Sequence, residues 1–126
     1  MRLSLYLIAA ALAVFTAVTN ALAVEYSLYW HLAWFDAFPH FSAGAMLGIL
    51  LYLMARTFCS PRQAFFVAIG TTFFIGIAWE IFEYLIGATT YTASLFADTV
   101  IDTVADMIVD TLGAVVGAYL ARKKAE

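Results

Sequence analysis

Apolar residues fall along this chain in four stretches, each long enough to cross a lipid bilayer. A spanning helix needs about 20 mostly apolar residues. Leu3 to Val24 holds no charged residue and supplies the first span. Pro39 to Phe58 supplies the second, with Pro39 suited to a first helical turn, where its missing N–H costs nothing. Arg62 to Ile86, following Ser60-Pro61, supplies the third, and Asp98 to Leu120 the fourth. The fourth is the weakest, because Asp98, Asp102, Asp106 and Asp110 lie in it or at its start. This pattern predicts an all-α, four-helix transmembrane bundle, a single integral membrane domain over residues 1–126 with short connections.

Composition makes lipid the necessary first partner. Apolar residues are 65% of the chain and charged residues 12%, against about 25% charged in a soluble domain. The mean hydropathy is +0.93. Cys59 is the single cysteine, which excludes an intrachain disulfide and a cysteine-based metal site. No basic patch is interleaved with aromatics, so nucleic acid is not an expected partner.

Charge then orients the bundle. Arg2 precedes the first span, Arg56 and Arg62 bracket the turn between the second and third, and Arg122, Lys123 and Lys124 follow the fourth. These are all six basic residues, and with four spans they fall on one side. The positive-inside rule places both termini in the cytoplasm of a multi-pass protein of the plasma (inner) membrane. The opposite segments, about Glu25 to Phe38 and Gly87 to Ala97, carry Tyr26, Tyr29, Trp30, Trp34, Tyr91 and Phe96, types that favour the headgroup level. Tyr26 to Phe35 is expected to lie flat there. A competing reading makes Met1 to Ala23 a signal peptide ending in Ala21-Leu22-Ala23. The uncharged run from Leu3 to Val24 exceeds a usual signal core of about 7–15 residues, which favours a retained helix. Cleavage would leave three helices in the same orientation.

The candidate chemistry lies in acids that a membrane should not hold. Glu80, Glu83, Asp98, Asp102, Asp106 and Asp110 fall within the third and fourth spans. An Asp near a helix centre costs about 2.5–3.5 kcal/mol on insertion, so these residues are functional candidates by default. Glu80 and Glu83 share a helix face, which Gly76 and Gly87 continue. The aspartates recur every four residues, a row that drifts about 40° per step. His40 stands in the first turn of the second span, just after Asp36. His40, Glu80, Glu83, Asp102 and Asp106 then share a depth near the outer face. Gly44 with Gly48 and Gly113 with Gly117 form two G-x-x-x-G stripes on the second and fourth spans. Their contact would set His40 beside the aspartate row.

No lysine or arginine can neutralise these acids, since all six lie at the other end. Carboxylates in low dielectric need compensation from protons, a bound cation or a water-filled cavity. Histidine with carboxylates suits Zn²⁺, Mn²⁺ or Fe²⁺, while carboxylates alone suit Mg²⁺ or Ca²⁺. The expected ligands are His40, Glu80, Glu83, Asp98, Asp102 and Asp106, with Glu83 also a candidate catalytic base. The plainer readings are hydrogen bonding between helices for Asp98 and Asp110, and capping for His40. Asn20 reads as an interhelical hydrogen bond, and Trp79 and Tyr84 as packing and belt residues.

These residues carry a family resemblance. Asp36-x-x-x-His40-Phe41-x-x-Gly44, then Trp79-Glu80-x-x-Glu83, then Asp98-Thr99-x-x-Asp102-x-x-x-Asp106-x-x-x-Asp110-x-x-Gly113-Ala114 resemble the pattern of VanZ-like and YjdF-type small membrane proteins over roughly residues 36 to 117. The VanZ name comes from a link with glycopeptide-antibiotic resistance, so the resemblance implies cell-envelope or lipid-linked chemistry. It implies His40, Glu80, Glu83, Asp98, Asp102 and Asp106 as the functional set. The expected function is an outer-face site that binds a divalent cation and acts on a lipid-linked substrate. The alternatives are a proton- or cation-coupled transport component and a non-enzymatic accessory protein. Homo-oligomers fit any of the three.

Overall fold

The computed structural model describes residues 2–86 and 96–125; the side chains of Trp30, Ala33 and residues 96–99 lie outside that description. The elements are α1 (Arg2–Glu25), a short α2 (Leu28–His31), a 3₁₀ turn (Ala33–Asp36), α3 (Ala37–Ala55), α4 (Pro61–Ile86) and α5 (Phe96–Ala125). The described residues contain no strand. Four helical segments are long and apolar enough to cross a membrane: Arg2–Glu25, Trp34–Ala55, Pro61–Ile86 and Val100–Ala125.

The helices occupy the expected stretches with shifted ends. α5 continues to Ala125, past the expected stop at Leu120, because Arg122, Lys123 and Lys124 suit the negative end of the helix dipole. α3 stops at Ala55, short of Phe58; Arg56 turns back there, and its Nη1 donates to the Cys59 carbonyl at 2.6 Å. α4 opens on a capping box with Pro61 as its first residue: the Ser60 N–H donates to Gln63 Oε1 (3.1 Å) and the Gln63 N–H to Ser60 Oγ (3.4 Å). The stretch expected to lie flat from Tyr26 to Phe35 is α2 and most of the 3₁₀ turn, entered through Ser27 in a left-handed conformation (φ 54°). Tyr29, Trp34, Phe35 and Phe38 pack their rings edge to face or tilted there, with Trp34 and Phe38 exposed. Tyr91 lies outside the described residues.

α3 is the central helix. It packs most extensively on α5, and also on α1 and α4; α4 also packs on α5, while α1 and α4 scarcely touch. The α3–α5 contact is the one the glycine stripes predict. A Cβ on Gly44 or Gly48 would strike the backbone carbonyl of Asp110 or Ala114, and one on Gly113 or Gly117 that of Phe41 or Ala45. Only hydrogen fits at four successive crossing points, and the two backbones run in direct contact. The core at the basic end is correspondingly fine-grained: Leu5 and Ala9 of α1, Ile49 and Tyr52 of α3, Ala64 of α4 and Ala118 of α5 are buried together. Large apolar residues point outwards instead, among them Leu7, Phe15, Phe66, Phe74, Ile108 and Tyr119. Lipid is as apolar as these side chains, so packing in a bilayer gains most from small residues that let backbones approach. A polar link ties α1 to α3, where Thr16 Oγ1 and Ser42 Oγ lie 2.7 Å apart.

Candidate functional site

Helical rise sets the depth of the site. Between His40 and Arg56 on α3, and between Asp106 and Arg122 on α5, the chain climbs about 24 Å from the basic end. Between Arg62 and Glu80 on α4 it climbs about 27 Å. Three helices therefore deliver His40, Glu80 and Asp106 to one level, far from every Lys and Arg.

His40 is the hub of that level and is 6% exposed. Its Nδ1 lies 3.3 Å from Asp110 Oδ1, while its Nε2 faces Asp36 Oδ1 at 3.7 Å and Asp106 Oδ2 at 3.8 Å. Asp36 reaches it from the preceding turn of the same helical segment, and Asp106 and Asp110 from α5. Gly76 on α4 makes room for Asp110: a Cβ there would lie 3.0 Å from Asp110 Oδ2. With its proton on Nδ1, donated to Asp110, a neutral ring would turn the Nε2 lone pair towards Asp36 and Asp106. Histidines that bind metals are commonly held in this way, through the other ring nitrogen.

Two sets of possible ligand atoms meet at His40. Asp36, His40 and Asp106 form one, and His40, Glu80 and Glu83 the other; within each set the atoms lie within 4.8 Å of one another. Two ligands about 2.1 Å from a tetrahedrally bound ion stand about 3.4 Å apart, so Asp36 and Asp106 each need to approach His40 Nε2 only by a few tenths of an ångström. Glu80 is 8% exposed, and its Oε1 is buried without a hydrogen-bond partner. A buried carboxylate oxygen with no donor is costly, and a cation or a proton would relieve it.

The set expected from sequence is thus brought together in part. His40, Glu80, Glu83 and Asp106 converge. Asp102 is exposed and lines the neighbouring cavity, and it belongs to neither compact set. Asp98 falls in the first turn of α5, with its side chain outside the described residues. Asp36 and Asp110 were missing from the expected ligands, and both contact the histidine. The signal for Asp36 was its i, i+4 spacing to His40, which holds once helical structure runs on into the 3₁₀ turn. The signal for Asp110 was Gly44, one turn below His40 on α3, whose close contact is the Asp110 backbone.

A cavity of about 590 Å³ adjoins this cluster, walled by α1, α3 and α4 and reached by Asp102 and Asp110 of α5. Its upper wall includes Tyr29, whose hydroxyl donates to Asn20 Oδ1 at 2.6 Å. Burial, with Asp36, Glu83 and Asp106 nearby, pushes the Tyr29 phenol far up, so it stays a neutral donor at any physiological pH.

The profile of one protein family, described as "Predicted membrane protein (DUF2238)", matches residues 1–125. No curated protein and no solved structure matches the chain.

Proposed function

The chain belongs to the DUF2238 family of predicted membrane proteins, and from the site's geometry we propose that it binds a divalent cation at His40, Asp36 and Asp106, with Glu80 and Glu83 closing the site from α4. The observation that carries this reading is the orientation of His40. Asp110 engages one ring nitrogen, and the other faces two carboxylates at near-ligand spacing. The unpartnered Oε1 of Glu80 offers a third oxygen, and so a fourth ligand atom. One imidazole among carboxylates favours Zn²⁺ or Mn²⁺ over Mg²⁺. The ion would lower the pKa of a bound water, and Glu83, where it does not ligate the ion, would serve as base, which is the chemistry of metal-assisted hydrolysis. The resemblance to VanZ-like proteins and the open cavity beside the cluster support a lipid-linked or envelope substrate. The one-sided Lys and Arg support a plasma-membrane protein with the site on the outer face.

Metal analysis of protein purified without chelator tests this. About one divalent ion per chain is expected, lost in His40→Ala and in Asp106→Asn with the helical content unchanged. Wild-type protein that stays metal-free after reconstitution with Zn²⁺ and Mn²⁺ would sink the reading. It would leave proton-coupled transport, in which the same acids titrate, as the better account.

A further inference from the structure

The cavity has features that cation binding does not use. It is a groove running along the helix axes, from Leu47 on α3 and Thr72 on α4 up to Ile86, about 21 Å of helix measured on α4. Its size falls in the range of about 300–1,000 Å³ common for small-molecule sites. It lies where α1 and α4, joined at the basic end through the Leu5 and Ala64 core, scarcely meet. Residues of its α4 wall are partly exposed, Trp79 to 43% and Phe82 to 48%. Among the described residues the groove therefore lies along the seam between α1 and α4.

We propose that this groove binds an amphiphile with an ammonium head and a hydrocarbon chain, which reaches it from the lipid between α1 and α4. The polarity is graded along its length. Asp36, His40, Glu83 and Asp102 face it at the upper level, while Leu47 and Ile75 line the deeper part, about 10 Å below His40 on α3. A head at the upper level and a chain below, or out through the seam, match that gradient. The sign of the head follows from charge. The groove has four carboxylates, counting Asp110, against one histidine and no lysine or arginine, so its balance disfavours a phosphate or carboxylate head. A protonated or quaternary amine would be attracted, and Trp79, Phe82 and Tyr29 offer aromatic faces of the kind that bind such cations. The inference goes beyond the metal reading. It shares Asp36, His40 and Glu83 with that reading and does not require a bound metal.

The test uses the full chain in nanodiscs of zwitterionic lipid and three photoreactive probes with one dodecyl chain, ending in an amine, an alcohol or a phosphate. The amine is expected to label groove residues of α1 and α4, and unlabelled dodecyltrimethylammonium to compete. Glu83→Gln with Asp102→Asn is expected to cut labelling at least about tenfold. Ala43→Phe, which fills the groove from α3, is expected to block it. Labelling should survive chelator treatment, which separates failure of this proposal from failure of the metal site. Equal or stronger labelling by the phosphate or alcohol probe would overturn the proposal, as would amine labelling indifferent to the double variant.

Discussion

Gly113→Ala is expected to destabilise the bundle by about 1–3 kcal/mol or more, while Gly70→Ala leaves it unchanged or slightly more stable. The two differ in what a methyl group would meet. At Gly113 it would collide with the carbonyl oxygen of Phe41 and sit 2.9 Å from the Ala45 nitrogen, both backbone atoms of the central helix. Neither can move without separating α3 from α5, the largest helix contact in the protein. At Gly70 it would meet nothing within 4 Å, so only the helix propensity changes, in favour of alanine. Gly44→Ala should behave like Gly113→Ala, because its methyl would strike the Asp110 carbonyl. Thermal unfolding in one detergent, followed by circular dichroism, checks the set. If the midpoints of Gly113→Ala and Gly70→Ala coincide, the two backbones do not run in contact as described.

The glycine stripes also show what could be read from the chain alone. Span length depends on composition, and one-sided basic residues depend on counting, so both are local properties of the sequence. The α3–α5 contact was legible because close approach in lipid demands small residues at a spacing of four, and two such stripes sat on spans running in parallel. The identity of the histidine's partners was harder to read. Asp36 looked like a loop residue, because the apolar run starts after it, and its role depends on helical structure extending outwards into a 3₁₀ turn. The aspartate row drifts about 40° per step, so residues 102 and 110 differ by about 80° around α5. Which of them meets α3 is fixed by rotation of the helix about its own axis, and spacing alone does not set that rotation. The glycines set it: Gly113 against Phe41 turns Asp106 and Asp110 inwards and leaves Asp102 to the groove.

That rotation makes Asp110 the residue whose loss should most specifically damage cation binding without removing a ligand. Asp110→Asn is expected to weaken metal affinity about 10–100-fold, the usual range for a group that orients a ligating histidine. In the metal-bound site the carboxylate, 3.3 Å from Nδ1, would accept the ring proton there and keep the Nε2 lone pair on the side of Asp36 and Asp106. An asparagine can present its amide N–H₂ to the same nitrogen, which would favour the other tautomer and place a proton on Nε2, where the ion must bind. The change barely alters volume, and the backbone contact with Gly44 is untouched, so the fold should persist. Asp106→Asn removes a ligand outright and should cost more. In wild type, affinity should fall as the pH is lowered, because protons compete for the carboxylates and for Nε2. Calorimetric or fluorescence titration with Zn²⁺ and Mn²⁺ across pH, on both variants and the wild type, measures these effects. Wild-type affinity retained in Asp110→Asn would mean that His40 is not oriented through Nδ1, and the metal centre would have to be rebuilt around Glu80 and Glu83.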